Sequence, residues 1–394
     1  IYIFICDVSR GQTSQAELDF KLKSLVSEGS ILIAGEKNIL YRYPKDENPL
    51  LIPASILKLA TALAAFHYLG TDFSYQTNFY FSEEGSLGIK GFGDPFLVSE
   101  ELRKISQKLS QIPGLPKHFK GLFIDNSVFS TKIKIPGIEF SKNPYDASNG
   151  ALVFNFNTVF LKVDEKGIVS SAEKQTPLTP MVKNFSKNLS PGKHRISIPP
   201  NNSIKYVGEL FQEFLAQEGF SFDSKNVTLR PLSSIDSLIY THMNSSVLTK
   251  LISGMMHYSN NFIANQLLIT IGLKLYGEPA TLEKGRRALE EYLINELKIP
   301  EEEFILLEGS GISRSNRMTP ETVWKILKAF SIYKNLLRSD YDTLSKTGTL
   351  KGVSTLAGYL PSRTPRYFVI MLNQAKNLRD EILKLILSSE FSKY

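Results

Sequence analysis

The sequence predicts an α/β chain of the α+β kind: an antiparallel sheet flanked by helices, with a β-rich accessory region (one domain or two) inserted into it. Three observations predict this. The chain has 394 residues, more than one compact core accommodates, so two or three domains are expected. Its beginning and end share a helix-plus-sheet character while its middle is strand-rich. It carries no tandem repeat and no low-complexity tract.

The elements follow in order. Gln15–Val26 has helical apolar spacing at Leu18, Phe20, Leu22 and Leu25. Ser30–Gly35 and Asn38–Tyr41 read as a hairpin around Gly35-Glu36-Lys37. Ser55–Leu69 is an apolar helix opened by Pro53-Ala54-Ser55. Strand signals dominate from Gln76 to Lys162, with turns at Glu84-Gly85 and at Gly91-Phe92-Gly93-Asp94-Pro95. Asp164–Pro200 is rich in Ser, Pro, Lys and Asn and reads as a loop-rich part of a smaller unit; Tyr206–Glu218 follows as an amphipathic helix. Beyond Asp236 come long helices over Ser246–His257, Asn260–Leu275, Pro279–Leu297 and Pro320–Ile332. Strands at Val353–Leu360 and Arg366–Leu372 and a helix at Arg379–Ser388 complete the chain. This pattern assigns 1–82 and 237–394 to a main domain and 83–236 to an inserted region, with a candidate further sub-domain around 164–231.

Composition narrows the function. Hydrophobic content of 42% and charged content of 22% are ordinary for a globular protein. No internal stretch reaches the roughly 18 apolar residues of a membrane span. The net charge of +7 is spread among acids, with no basic block interleaved with aromatics, which argues against a nucleic-acid partner and suits an anionic polymer such as cell wall. Cys6 is the single cysteine, so no intrachain disulfide forms. The apolar run Ile1–Cys6 reads as the tail of a signal-peptide apolar region, as a first strand, or as the site of a lipid-modified Cys6 and hence of membrane association.

Three short motifs carry chemistry. Ser-x-x-Lys occurs at Ser55, Ser171, Ser190 and Ser331, but only Ser55 opens a strongly apolar helix. A helix start favours a developing anion, and a lysine three residues on lies on the same face. An apolar helix buries Lys58, and burial disfavours its charged form, so a neutral amine beside a hydroxyl can serve as its base. The pair reads equally as an N-cap serine and a snorkelling lysine. Lys346-Thr347-Gly348-Thr349 is the single Lys-Thr-Gly in the chain and leads into the β-type run Val353–Tyr359. A strand edge with Lys and Thr, and a glycine admitting substrate backbone, suits an extended peptide ending in a carboxylate. Ser259-Asn260-Asn261 lies between two long apolar helices, where a polar triplet is costly to bury; it also reads as a helix N-cap.

The order Ser-x-x-Lys, Ser-x-Asn, Lys-Thr-Gly is the signature of penicillin-recognising serine enzymes. Over most of its length the chain resembles the class C low-molecular-mass penicillin-binding proteins, the D-alanyl-D-alanine carboxypeptidase/endopeptidase family. The likeness extends to Leu69-Gly70-Thr71-Asp72-Phe73, Gly91–Pro95, Ser259–Asn265, Gly309–Arg314 and Leu356-Ala357-Gly358. It is poor over Asp164–Pro231, and Glu308 stands where an aspartate is usual. The 203 residues between Ser55 and Ser259 match what the resemblance implies for an inserted accessory domain.

The resemblance implies a periplasmic or envelope serine peptidase, with peptidoglycan stem peptide as substrate and β-lactams as covalent inhibitors. On that reading Ser55 is the nucleophile and Lys58 its base. Ser259 relays a proton to the leaving amine with Lys346, and Asn261 positions the substrate amide. Lys346, Thr347 and Thr349 face the substrate carboxylate around Gly348, and the N–H groups of Ser55 and Thr349 form the oxyanion hole. Asp146 is the candidate grip on the amino end of the peptide's diamino acid; it also reads as a turn aspartate. No cofactor or metal is expected, since His67, His118, His194, His242 and His257 lack metal-ligand spacing. The rival readings are a β-lactamase, for which Glu291–Asn295 superficially resembles a deacylation loop inside a helical run, a non-catalytic wall-binding protein, and an esterase or D-aminopeptidase relative.

Overall fold

The computed structural model describes residues 14–139 and 141–392, so the Ile1–Cys6 run and its three readings lie outside the described residues. The chain divides into two compact units. One holds the chain up to Leu59, Ile294–Leu306 and the chain from Arg314 onward; the other holds Ala60–Leu293 and Leu307–Ser313.

The first unit is built on a six-stranded sheet in the order Arg338–Asp340, Thr343–Leu350, Val353–Tyr359, Tyr367–Leu372, Gly29–Ala34, Ile39–Tyr43. Every pairing in it is antiparallel. Alternation along the strands sends Ile31, Ile33, Phe368 and Ile370 into a core with the helices Gln15–Leu25 and Arg379–Ser388, through Leu18, Leu22, Ile382 and Ile386. Each fully buried side chain of this kind contributes about 1.5–3 kcal/mol. Phe20, expected on the apolar face of the first helix, is exposed, and only Leu18 and Leu22 of that helix are fully buried.

The second unit carries a five-stranded mixed sheet in the order Val227–Leu229, Leu122–Asp125, Leu87–Gly91, Gln76–Phe81, Ser237–Met243. The helices Ser99–Ser110 and Ser203–Gln217 share its core, through Leu102, Ile105, Leu210 and Phe211. A three-stranded antiparallel sheet, Val169–Ser171, Thr158–Val163 and Gly192–Ser197, takes its two outer strands from the stretch expected to be loop-rich. The strand-dominated reading of 76–162 missed the helix Ser99–Ser110. Its Leu102, Ile105 and Leu109 repeat at helical spacing within an otherwise polar segment.

The helix Asn261–Tyr276 and Asn244, just before the helix Leu248–Tyr258, pack with earlier parts of the same unit. Tyr75 Oη donates to Thr270 Oγ1 at 3.0 Å, Asn149 Nδ2 donates to Phe262 O at 3.0 Å, and Asn244 Nδ2 donates to Asp94 Oδ2 at 2.7 Å.

Candidate active site

Ser55 sits in a single 3-10 turn, Ala54–Leu57, that runs into the helix Lys58–Leu69. This sharp entry needs an unusual backbone: Ala54 has φ +48°, a left-handed conformation that costs a non-glycine residue about 1 kcal/mol. The surroundings hold it there. Asn373 clamps Ile52, accepting from its N–H at 2.8 Å and donating to its carbonyl at 3.3 Å. Thr355 Oγ1 donates to Pro53 O at 2.9 Å. Lys58 is fully buried, and its Nζ lies 2.9 Å from Ser55 Oγ, so the expected pair is formed.

The Lys-Thr-Gly strand, Thr343–Leu350, passes directly beside this turn. Its alternation buries Lys346 and Gly348 on one face and exposes Thr347 and Thr349 on the other. A Cβ added at Gly348 would lie 2.8 Å from the Ser55 nitrogen, so glycine is what allows the strand to approach Ser55. Arg338–Asp340 pairs with this strand only as far as Ser345. Among the described residues, therefore, the outer edge from Lys346 to Leu350 has no strand partner, the geometry an extended peptide requires. At the far end Gly352, φ +70°, closes the two-residue turn into Val353–Tyr359. Lys346 Nζ donates to Thr347 O at 2.8 Å. Burial pushes the Lys346 ammonium down to about 8, and the positive charges of Arg379 and Arg338 add to the effect.

Ser259 and Asn261 belong to the second unit. Ser259 ends the helix Leu248–Tyr258 in the left-handed conformation, φ +52°, and Asn261 begins the helix Asn261–Tyr276. The N-cap of that helix is Asn260, whose Oδ1 accepts from Ile263 N–H at 3.0 Å, so within the triplet the capping role falls to Asn260. Both Ser259 and Asn261 are half-buried and line a cleft of about 250 Å³ with Tyr145, Phe156, Arg195 and Tyr258.

Asp146 ends a 3-10 turn, Pro144–Asp146, in the same unit. It is buried, and its carboxylate accepts from Ser141 Oγ and from Glu139 N–H, the bonding of a turn aspartate. Pro144 and Tyr145, not Asp146, reach the cleft.

Sequence reasoning noted Glu308 only as a departure, yet it organises the glycine turn. Its buried carboxylate accepts from Ser310 N–H and Oγ at 2.7 and 2.6 Å, and from Gly311 N–H at 2.7 Å. Gly309 is held from both sides, its carbonyl by Thr61 Oγ1 at 2.6 Å and its N–H by Asn265 Oδ1 at 2.8 Å. Glu291 lies inside the helix Leu282–Asn295 and accepts from Tyr276 Oη at 2.6 Å and Arg287 Nε at 2.8 Å, as expected of an ordinary helical residue. His242 is buried, with Nε2 2.9 Å from Glu101 Oε2. Among the described residues no group of three or more His, Cys, Asp or Glu could hold a metal.

The model of the D-Ala-D-Ala carboxypeptidase 3 (S13) family matches residues 21–190 and 190–345, most of the chain. The chain belongs to that family. It is thereby a serine-type D-Ala-D-Ala carboxypeptidase of the class C penicillin-binding type. The D-alanyl-D-alanine carboxypeptidase DacB of Haemophilus influenzae is 24% identical over 79% of this chain and 77% of its own length. The D-alanyl-D-alanine carboxypeptidase of an Actinomadura species is 25% identical over 81% and 72%. Among solved structures, penicillin binding protein 4 of Haemophilus influenzae has a TM-score of 0.77 at 21% identity, covering 95% of this chain and 99% of that one. A predatory peptidoglycan endopeptidase from Bdellovibrio bacteriovorus shares the fold at a TM-score of 0.53, 15% identity and 92% coverage of each chain.

Proposed function

We propose that this carboxypeptidase cuts the D-alanyl bond of wall stem peptides through an acyl-enzyme on Ser55, and that β-lactams acylate the same serine. The observation that carries this is the 2.9 Å contact between the buried Lys58 amine and Ser55 Oγ, with the Lys-Thr-Gly strand packed against the same turn.

The reaction then runs as follows. Ser55 Oγ attacks the carbonyl carbon of the penultimate D-alanine while Lys58, as the free amine, takes the hydroxyl proton. The tetrahedral oxyanion is stabilised by the N–H groups of Ser55 and Thr349, worth about 3–4 kcal/mol per donor. Collapse breaks the C–N bond, and the leaving amine is protonated through Ser259 with Lys346. Asn261 orients the substrate amide, and Thr347 and Thr349 receive the carboxylate. Water then attacks the Ser55 ester, releasing the shortened peptide and restoring the serine. The same acyl half-reaction serves an endopeptidase, in which the leaving amine belongs to a cross-linking side chain instead of free D-alanine.

In this reading 1–82 and 237–394 form the catalytic domain and 83–236 the inserted region. The relatives' wall chemistry supports an envelope location; among the described residues no helix is long and apolar enough to cross a membrane.

The test is intact-mass analysis after incubation with benzylpenicillin. One penicilloyl adduct on the wild type and none on Ser55→Ala supports the reading. A folded wild type without an adduct would move the non-catalytic wall-binding alternative ahead, and rapid turnover of nitrocefin would favour a β-lactamase.

A further inference from the structure

Arg379 opens the helix Arg379–Ser388, 31 residues beyond Gly348 in sequence, and reaches back to the Lys-Thr-Gly strand. Its Nη1 donates to Gly348 O at 2.9 Å and to Thr349 Oγ1 at 2.7 Å. The Thr349 hydroxyl oxygen is thus an acceptor towards Arg379, which leaves its hydrogen to donate outward from the exposed face of the strand. The Arg379 side chain is only 16% exposed, and its Nε is buried with no hydrogen-bond partner. The nearest acid, Asp380, is largely exposed and stands 3.6 Å away, outside hydrogen-bonding range. A desolvated guanidinium with an uncommitted donor is unfavourable alone, and Lys346 and Arg338 contribute positive charge to the same neighbourhood. The deficit is one of negative charge, at the strand edge where an extended peptide would end.

We propose that Arg379 is a specificity-determining residue: with Thr349 it binds the α-carboxylate of the residue that leaves, making a free carboxylate a condition of efficient cleavage. The inference rests on the acyl-enzyme reading and adds a residue that the three motifs do not contain. A planar guanidinium already tied to the strand meets the carboxylate in a fixed geometry, and it loses little freedom on binding.

The experiment uses the full chain and compares kcat/KM on an N-acylated stem peptide ending in D-Ala-D-Ala with that on its C-terminal amide. Acylation rates with benzylpenicillin and benzylpenicillin methyl ester form a second pair. In Arg379→Gln, kcat/KM on the acid should fall about 10- to 100-fold, the range for a charge-assisted hydrogen bond. The amide and the ester should change by no more than a few-fold, and Arg379→Lys should restore part of the preference for the acid. Equal losses on acid and neutral forms would reduce Arg379 to a brace for the strand and overturn the proposal, as would an unchanged preference in Arg379→Gln. Were the wild type neither acylated by benzylpenicillin nor active on the peptide, the acyl-enzyme reading would fall and this inference with it. Failure of the preference test in an enzyme that acylates normally removes this inference alone.

Discussion

Gly348→Ala tests the contact on which the site depends. The added Cβ would lie 2.3 Å from Thr355 Oγ1, 2.8 Å from the Ser55 nitrogen and 3.0 Å from Ala54 Cβ. Carbon atoms approach no nearer than about 3.5 Å without repulsion, so something must move. Thr355 cannot swing aside freely, because its hydroxyl holds Pro53 O at 2.9 Å and thereby the entry to the nucleophile turn. The strand and the turn must instead part. Overpacking of this kind costs about 1–3 kcal/mol of stability. The separation also displaces the Ser55 and Thr349 N–H groups relative to each other; in the proposed mechanism these are the oxyanion donors, and losing one such donor costs about 10²- to 10³-fold in rate. The assay is the second-order rate of labelling by a fluorescent penicillin, alongside a thermal melt. We expect acylation to slow by about 100-fold or more with a loss of several degrees in Tm. A second substitution, Thr355→Ala, removes one clash but leaves the contact with Ser55. The double variant should therefore recover part of the Tm and little of the rate. Labelling of Gly348→Ala at the wild-type rate would refute the argument, since the oxyanion hole would then not depend on this approach.

Two further outcomes follow from the titrating groups. Burial, with Arg379 and Arg338, sets Lys346 near pH 8, below its unfolded value. A carboxylate-binding role for the charged form makes kcat/KM fall as pH rises through about 8, and Arg379→Gln should move that limb upward; a profile flat from pH 7 to 10 would contradict it. For stability, the cost of the buried charge is full below about 8 and is relieved between there and the unfolded value of 10.5, where the unfolded chain holds the extra proton. Burial would raise the Glu101 carboxyl, but hydrogen bonds from His242, Lys104 and Ser245 outweigh it and bring it to about 2. Its folded value lies below its unfolded one, so its contribution is present above about 4.5 and is lost as pH falls towards 2. Glu101→Gln should lower Tm at pH 7, and the gap to wild type should narrow between pH 5 and 3; a constant gap would show that only packing was lost.

The elements legible in the sequence are those whose signal is local. The helices Leu248–Tyr258, Asn261–Tyr276 and Pro320–Phe330 carry their apolar period in their own residues, and observed and expected ends agree within a few positions. The helix Ser99–Ser110 was missed because its first turn, Ser-Glu-Glu, and its many polar residues obscure the three buried apolar positions Leu102, Ile105 and Leu109. The strand Thr158–Val163 falls almost entirely within the stretch read as strand-rich, but its two partners, Val169–Ser171 and Gly192–Ser197, were missed for another reason: the first is three residues long, and the second is mostly polar and follows a segment containing the helix Pro180–Phe185, so neither shows a sustained alternation. The domain boundaries depend on long-range packing such as Tyr75 on Thr270, which no window of sequence contains.

The site divides along the same line. Ser55 with Lys58, and Lys346 through Thr349, are contiguous, so spacing alone suggests their chemistry. Their environment is assembled from residues distant in the chain: Asn373 on Ile52 and Thr355 on Pro53, more than 300 positions away, and Arg379 on Gly348 and Thr349, 31 and 30 positions away. A positive φ at Ala54 is invisible in its letter, because alanine ordinarily avoids it and only the clamped neighbours impose it. The same holds for Glu308, which sequence marks merely as one methylene longer than aspartate. Its two oxygens satisfy three N–H groups and a hydroxyl of the turn that follows, with bonds of 2.6–2.7 Å to Ser310 and Gly311 and 3.3 Å to Ser313. Motifs thus name the atoms proposed to react, while the residues that hold them in place are fixed by distance in space and have no spacing to be recognised by. Arg379 is the sharpest instance, since a lone arginine at a helix start carries no signal until the strand it grips is known to be the one beside Ser55.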